Sequence, residues 1–251
     1  MQCAPATPAA TSPAKAPPTT YVLVHGALLG EFSWKPVQDR LTADGNVVVT
    51  LDLPAHGADA TPTEKATLDG YRDAVVRVIG TKTNVVLVGH SFGGIVISLV
   101  AEAIPTQISK LVFVSALIPQ DGESASALAG KDTDSMFGKF VSPTPVSLVF
   151  KPDGIQPVFC NDCAPADVEL LKSKLRPEPL APFGTPVKLT ADRYGSVAKY
   201  DVLTKQDHAV SFAFQKTLQA RIKFEKSVEL DAGHVPFLTQ PDALTKALES
   251  F

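Results

Sequence analysis

The sequence is poor in the residues that mark several classes of protein. It has only three cysteines in 251 residues, too few for a disulfide scaffold. No apolar run approaches the roughly 18 residues of a membrane-spanning helix. The formal net charge of −3 gives no basic excess for binding nucleic acid. The length fits a single large α/β domain with enough interior to bury a full sheet.

The N-terminal segment, residues 1–20, consists almost entirely of Ala, Pro, Thr and Ser, and Lys15 is its only charged residue. Such a composition cannot bury a core, so we expect a disordered or extended tail ahead of a single domain over residues 21–251. Cys3 is either the lipid-bearing cysteine of an exported lipoprotein or part of a flexible tail, and Gln2 does not suit a lipoprotein cleavage site. The tail favours an exported protein over a cytoplasmic one.

The central stretch of the chain is residues 85–94, VVLVGHSFGG. Four consecutive aliphatic residues predict a strand buried on both faces, and the apolar run at 95–103 predicts a helix. Between them lies a G-x-S-x-G motif centred on Ser91. A strand-to-helix turn of small residues holds such a serine in a strained conformation at the carboxyl edge of the sheet, where a base can reach it.

The first core strand, residues 21–24, runs directly into His25, Gly26 and Ala27. A loop in this position supplies backbone N–H groups to an oxyanion in acyl-transfer enzymes. We therefore predict an oxyanion hole made of the amides of Ala27 and Phe92. Trp34 and Phe32, a few residues further on, either line the mouth of the site or pack against a helix.

Further strands and helices alternate along the chain. Residues 47–51 and 110–115 read as strands and residues 68–79 as an amphipathic helix. This alternation predicts an α/β fold with a mostly parallel, doubly wound sheet. Asp52 and His56 lie in a turn punctuated by Pro54 and Gly57, and we expect their side chains to fix that turn rather than to catalyse.

Four motifs in this order resemble the α/β-hydrolase superfamily: LVHGA at 23–27, DLPAHG at 52–57, GHSFGG at 89–94 and AGH at 232–234. Over residues 20–250 the chain is most similar to the small serine esterase branch that includes plant methyl-ester hydrolases and hydroxynitrile lyases. The resemblance implies the α/β-hydrolase fold and a catalytic triad in the chain order Ser…Asp…His.

The triad that the resemblance implies is Ser91, Asp207 and His234. Asp207 follows the strand predicted at 199–203, whereas its rival Asp201 falls inside that strand. His234 follows the last predicted strand, residues 228–231. His208, beside the acid, is expected to be a surface histidine.

From about residue 118 to 186 prolines become frequent and aromatic residues lie between short helical stretches. An insertion at this place resembles the lid, or cap, of the hydrolase fold, which roofs the active site. Its aromatic residues either line an apolar pocket or form the lid's own small core. Substrate contacts are predicted for seven residues: His25, Gly26, His90, Trp34, Phe137, Phe140 and Val235.

The predicted function is hydrolysis of a small carboxylic ester with an apolar part, without metal or cofactor, and with no nucleic-acid partner or membrane span. Hydroxynitrile lyases of this branch carry threonine and lysine where this chain has Gly26 and Val235, which favours ester hydrolysis. The alternatives are a lyase, another carbon–carbon- or amide-cleaving member, or a perhydrolase. A non-catalytic ligand-binding or receptor-like protein is an alternative of another class. The oligomeric state stays open.

Cys160 and Cys163 form a C-x-x-C pair within the insertion. Zinc is not expected, because neither a second such pair nor neighbouring histidines accompany them. A short-loop disulfide and two free thiols both remain open. Neither state is expected to affect the chemistry.

Overall fold

The computed structural model describes residues 17–251. The predicted disordered tail covers residues 1–20 and includes Cys3. Of these positions only 17–20 belong to the described part of the chain, so the prediction for the rest of the tail and the role of Cys3 lie outside the described residues. The first strand begins at Thr20, one residue earlier than predicted. Just before it, Thr19 accepts a hydrogen bond from the Val47 amide at 2.9 Å.

A six-stranded sheet forms the centre of the fold, in the order β2-β1-β3-β4-β8-β9. All of its neighbouring strands are parallel, so the predicted mostly parallel, doubly wound sheet is confirmed. The strands are β1 (Thr20–Val24), β2 (Val47–Thr50), β3 (Val85–His90), β4 (Ile108–Val114), β8 (Ala198–Thr204) and β9 (Lys226–Leu230).

The helices connect these strands. Strand β3 is buried along its whole length, as its aliphatic sequence predicts. Thr67 caps α2 by accepting a hydrogen bond from the Gly70 amide at 3.0 Å. The helices outside the insertion are α1 (Lys35–Ala43), α2 (Leu68–Ile79), α3 (Gly93–Ala103), α7 (Phe212–Gln219), α8 (Pro236–Thr239) and α9 (Pro241–Glu249). None of the helices within residues 17–251 has the length and apolar composition to cross a membrane.

Residues 118–186, called the insertion from here on, contain short helices, as the sequence predicts, and a small antiparallel sheet that the sequence did not predict. The strands of this sheet are only two to four residues long and include two prolines, which conceals them in the sequence. The helices are α4 (Ala125–Ala129), α5 (Pro165–Lys174) and α6 (Leu180–Gly184), and the strands are β5 (Val141–Pro143), β6 (Ser147–Phe150) and β7 (Glu178–Pro179).

Candidate functional site

Ser91 lies on the turn between β3 and α3 with φ of 52°, in the left-handed region that side chains rarely adopt. Strain of this kind costs on the order of 1–3 kcal/mol and persists only where the surroundings enforce it. The Ser91 amide donates to the Val114 carbonyl at 3.1 Å, which fixes the turn to the neighbouring strand. A Cβ on Gly94 would lie 2.3 Å from the Leu117 carbonyl oxygen, so only glycine permits this approach.

Ser91, His234 and Asp207 form one hydrogen-bonded chain. The Nε2 atom of His234 lies 3.0 Å from Ser91 Oγ, and its Nδ1 atom lies 2.8 Å from Asp207 Oδ2. His234 follows β9 and Asp207 follows β8, so both loops end at the carboxyl edge of the sheet, beside Ser91. The structure thus brings together the three residues predicted from motif order.

Both oxygens of the Asp207 carboxylate have hydrogen-bond partners. Its Oδ1 accepts from the amides of Ala209 at 2.8 Å and Val210 at 2.9 Å. Its Oδ2, besides facing His234, lies 3.0 Å from Thr204 Oγ1 and 3.2 Å from Gln215 Nε2. Sequence reasoning missed Thr204 and Gln215. The only sequence feature that pointed to either residue was the position of Gln215 among the apolar residues of α7.

Asp201, the rival acid, stays inside β8 as predicted and contacts Gln219 Nε2 at 3.2 Å. It is 3% exposed, and burial raises the pKa of its carboxyl to about 7. A carboxyl in such a place is more easily protonated in the folded chain than in the unfolded chain. We therefore expect Asp201 to influence the stability of the fold and not the hydrogen bonds among Ser91, His234 and Asp207.

We expect Asp201→Asn to change how stability depends on pH. Because the folded pKa lies above the unfolded value, the wild-type protein loses stability as pH rises from about 4 to 7, by up to roughly 4 kcal/mol. Asp201→Asn has no carboxyl to titrate at this position, so its free energy of unfolding should not fall in this way. Urea unfolding at pH 5 and pH 8 measures it, and an equal fall in the free energy of unfolding for both proteins would contradict it.

Ala27 and Phe92 line the same cavity as Ser91. Within residues 17–251, neither N–H group donates to a carbonyl or a side chain. Two free backbone donors beside a serine hydroxyl are suited to an oxyanion. That these two amides form the oxyanion hole stays a prediction from the sequence.

Leu28 fixes the loop that carries Ala27. Its φ is 68°, and its amide donates to Glu178 Oε2 in β7 at 2.9 Å. The same carboxylate oxygen lies 2.8 Å from His56 Nε2, with both side chains almost fully buried. Burial lowers the pKa of His56, but the Glu178 carboxylate raises it further, and the net result is a pKa above the ordinary value. Sequence reasoning missed Glu178.

His56 and Asp52 fix their turn, as predicted. His56 Nδ1 lies 3.1 Å from the Pro54 carbonyl oxygen. The Asp52 carboxylate accepts from the amides of Glu31 and Ala58, each at 2.8 Å. Neither side chain borders the cavity beside Ser91.

The cavity beside Ser91 has about 430 Å³ of empty space, the part open to solvent included. Its wall is mostly apolar, and the insertion supplies five of its residues: Ala129, Asp132, Phe137, Phe159 and Phe183. The lining consists of Ala27, Ser91, Phe92, Leu117, Ala129, Asp132, Phe137, Phe159, Phe183, Ala209, Val210, Phe214 and His234.

Of the seven predicted substrate contacts, only Phe137 borders this cavity. His25, Gly26, His90, Trp34, Phe140 and Val235 lie outside its lining. Trp34 is fully buried against Phe237, with 5.0 Å between ring centroids, so it packs the core behind the site. Phe140 packs within the insertion, 6.3 Å from the ring of Phe150.

Two of these residues, His25 and His90, form hydrogen bonds with backbone groups near the site. His90 Nε2 donates to the His234 carbonyl oxygen at 2.8 Å, and His25 Nε2 accepts from the Leu53 amide at 3.1 Å. Burial lowers the pKa of His25 to about 3 and that of His90 well below its ordinary value. Both rings are therefore neutral. Gly26 lies behind Ser91, where a Cβ would come within 2.8 Å of the Ser91 Cβ.

A disulfide joins Cys160 and Cys163, one of the two states left open by the sequence. The pair lies close to the loops that carry Asp207 and His234. Asn161 and Asp162, between the two cysteines, hydrogen-bond to Gln206 and Gly233, the residues next to Asp207 and His234. His208 is exposed, as predicted.

Comparison with known proteins gives one family and several esterases. The model of the alpha/beta hydrolase family matches residues 21–247. Polyneuridine aldehyde esterase of Rauvolfia serpentina is 29% identical over 246 residues, covering 91% of this chain and 93% of the relative. Methylesterase 7 of Arabidopsis thaliana is 29% identical over 248 residues, covering 91% and 94%. Salicylic acid-binding protein 2 of Nicotiana tabacum is 29% identical over 246 residues, covering 91% and 95%.

The fold agrees with these matches. The crystal structure of polyneuridine aldehyde esterase superimposes with a TM-score of 0.85 at 27% identity, covering 93% of this chain and 99% of that one. The predicted resemblance to plant methyl-ester hydrolases is confirmed.

Proposed function

Because the chain belongs to the alpha/beta hydrolase family, we propose that it hydrolyses carboxylic esters through an acyl-enzyme formed on Ser91. One observation carries this proposal: Ser91 Oγ, the His234 ring and the Asp207 carboxylate are joined at 3.0 Å and 2.8 Å. Nucleophile, base and orienting acid are thus within hydrogen-bond reach of one another before any substrate binds.

In the first half of the reaction, His234 Nε2 takes the proton of Ser91 as its oxygen attacks the ester carbonyl carbon. Asp207 accepts the Nδ1–H of His234, which keeps Nε2 unprotonated at the start and stabilises the imidazolium that forms. The tetrahedral intermediate then collapses. Its carbon–oxygen bond to the alcohol breaks, and His234 returns the proton to the leaving oxygen.

In the second half, His234 takes a proton from water, which attacks the acyl-enzyme and releases the carboxylic acid. The amides of Ala27 and Phe92 donate to the oxyanion in both halves. Each such donor contributes on the order of 3 kcal/mol to transition-state stabilisation.

The substrate is a small ester with an apolar part, because the cavity beside Ser91 is walled by aromatic and aliphatic side chains. Phe137 and Phe159 come from the insertion, which roofs the cavity in the way expected of a lid. Asp132 is the one carboxylate among the residues that line the cavity. Its carboxylate is engaged by the amide and hydroxyl of Ser211 at 2.7 Å and 2.6 Å, which leaves the apolar walls to select the substrate.

A second candidate is binding of a small apolar ligand without turnover. The similarity to salicylic acid-binding protein 2 favours it, since that relative is named for binding. Fluorophosphonate labelling read by peptide mass spectrometry, beside hydrolysis of short p-nitrophenyl esters, separates the two candidates. Labelling at Ser91 with turnover supports the esterase. Labelling without turnover of any ester favours the binding protein, and absence of labelling at Ser91 contradicts the mechanism.

We expect Glu178→Ala to lower kcat about tenfold, because the Leu28 amide loses its acceptor and the loop carrying Ala27 loses its support. The variant also leaves His56 unpaired, which costs roughly 3–5 kcal/mol of stability. Kinetics are therefore measured at a temperature where circular dichroism shows a folded protein.

Glu178→Gln keeps an oxygen for the Leu28 amide and should restore most of kcat. Glu169→Ala, at an exposed position of α5, is the matched control. If Glu178→Ala loses stability but keeps the wild-type kcat, the carboxylate holds the fold and has no role in positioning Ala27.

A further inference from the structure

The four-residue loop from Cys160 to Cys163, called the disulfide loop, bridges the two loops that carry Asp207 and His234. Asn161 Nδ2 donates to the Gln206 carbonyl oxygen at 2.9 Å. The Gly233 amide donates to Asp162 Oδ2, also at 2.9 Å. Gln206 and Gly233 immediately precede Asp207 and His234. Adjacent side chains of one short loop therefore hold the backbone before both the acid and the base.

The fit between the disulfide loop and Gly233 is close. A Cβ on Gly233 would lie 2.4 Å from Asn161 Oδ1 and 2.6 Å from Asp162 Oδ1. Both of these oxygens are buried and have no hydrogen-bond partner among the residues that the structure describes. Buried polar atoms without partners are costly. The distances at Gly233 show that the disulfide loop packs closely against the backbone before His234.

The residues before the disulfide loop add two contacts. The ring of Phe159 lies 5.4 Å from the ring of His234, between centroids, and borders the cavity. His208 Nδ1 donates to the Pro157 carbonyl oxygen at 2.8 Å. The chain from 157 to 163 therefore touches residues on both sides of Asp207 as well as the imidazole ring itself.

We propose that the disulfide loop is a positioning element for Asp207 and His234, and that its oxidation state sets the turnover rate. The inference rests on the proposed esterase function. Asn161 and Asp162 touch neither substrate nor reacting atoms; they act through the backbone of Gln206 and Gly233. The cross-link between Cys160 and Cys163 limits the conformations of the two residues between them, so their side chains are preorganised for these bonds. A shift of about 1 Å in a reacting group can cost up to 10²-fold in rate.

Reduction would release this constraint. A dithiol such as dithiothreitol supplies two electrons and two protons, the sulfur–sulfur bond breaks, and two thiols form while the dithiol becomes a cyclic disulfide. Cys163 is only partly buried, which gives a thiolate a path to the bond. The freed thiols leave Asn161 and Asp162 on a loop with more conformations, and the distance between His234 and Ser91 is less well defined.

Four forms of the full chain test the proposal: Asp162→Ala, Asp162→Asn, Cys160→Ser with Cys163→Ser, and wild type reduced by dithiothreitol. We expect about tenfold lower kcat on p-nitrophenyl butyrate, with KM within twofold, for the alanine variant, the double serine variant and the reduced wild type. Asp162→Asn should retain kcat, because its amide oxygen still accepts from Gly233. The double serine variant should not respond to dithiothreitol. Asp153→Ala, an exposed aspartate of the insertion, is the matched control.

Rates of fluorophosphonate labelling at Ser91 are measured on the same samples, with thiols counted by alkylation. A fully reduced wild type with unchanged kcat and labelling rate overturns the proposal, as does a change confined to KM, which would mark the loop as a cavity wall only. If Asp162→Ala does not fold, the reduced wild type and the double serine variant give the same decision. If oxidised wild type neither labels nor hydrolyses esters, the proposed function fails and this proposal with it. Normal wild-type labelling with equal rates in all variants overturns the positioning role alone.

Discussion

Ser91→Ala is expected to lower kcat on short p-nitrophenyl esters by roughly 10⁴- to 10⁶-fold while leaving the fold intact. Without the hydroxyl no acyl-enzyme can form, and His234 has no oxygen to deprotonate at 3.0 Å. The oxyanion donors and the cavity remain, so a small residual rate over water is expected. Initial rates with the variant purified away from wild-type enzyme measure the loss, and circular dichroism with thermal unfolding checks the fold.

Alanine also relieves no strain at position 91, because φ near 52° is unfavourable for alanine as well as for serine. The stability of Ser91→Ala should therefore stay close to that of the wild type. Ser98→Ala is the matched control, since Ser98 lies on the same α3 helix and its hydroxyl donates to the Gly94 carbonyl oxygen at 2.7 Å. Turnover by Ser91→Ala at a rate comparable to Ser98→Ala would contradict the proposed mechanism.

The parts of the site that sequence predicted are those defined by local pattern. Ser91 was recognisable because strand, small-residue turn and apolar helix follow one another within 20 residues. Asp207 and His234 followed from the chain order Ser…Asp…His that the resemblance to the α/β hydrolases implies. The alternation of strands and helices likewise predicted the central sheet.

The parts that sequence missed depend on contacts between distant residues. Glu178 meets the amide of Leu28 across 150 positions, and Asp162 meets Gly233 across 71. Trp34 could have pointed into the site or into the core, because the direction of a side chain at the start of a helix depends on its packing partners. Phe237 lies far from Trp34 in the sequence, and the packing of its ring against the Trp34 ring places Trp34 in the core.

The contacts of the insertion could be predicted only in part from the sequence. The resemblance to the hydrolase fold implied a lid over the active site, and Phe137 and Phe159 of the insertion do border the cavity. The composition of the insertion gave no hint that two polar contacts from Asn161 and Asp162 would reach the backbone beside the acid and the base. A glutamate in an antiparallel strand of two residues was equally invisible, because no periodicity can be read from so short a strand.

Asp207→Asn is expected to lower kcat by on the order of 10³- to 10⁴-fold with little change in KM. The amides of Ala209 and Val210 donate to the Oδ1 position, so an asparagine at this site must place its oxygen there. Its NH₂ group then occupies the position of Oδ2, 2.8 Å from His234 Nδ1. A donor at that position forces the imidazole to carry its proton on Nε2. In that tautomer Nε2 cannot accept the proton of Ser91.

Asp201→Asn is the matched control for this argument, because it makes the same chemical change in a buried aspartate of the preceding strand. Its carboxyl contacts Gln219 and has no path to His234, so its kcat at pH 7 should stay within about twofold of the wild type. Steady-state kinetics on both variants, with the labelling rate at Ser91 as a second readout, compares them directly. If Asp201→Asn loses the rate and Asp207→Asn keeps it, the acid of the triad is misassigned. If both keep it, the hydrogen-bonded chain at Ser91 does not carry the chemistry.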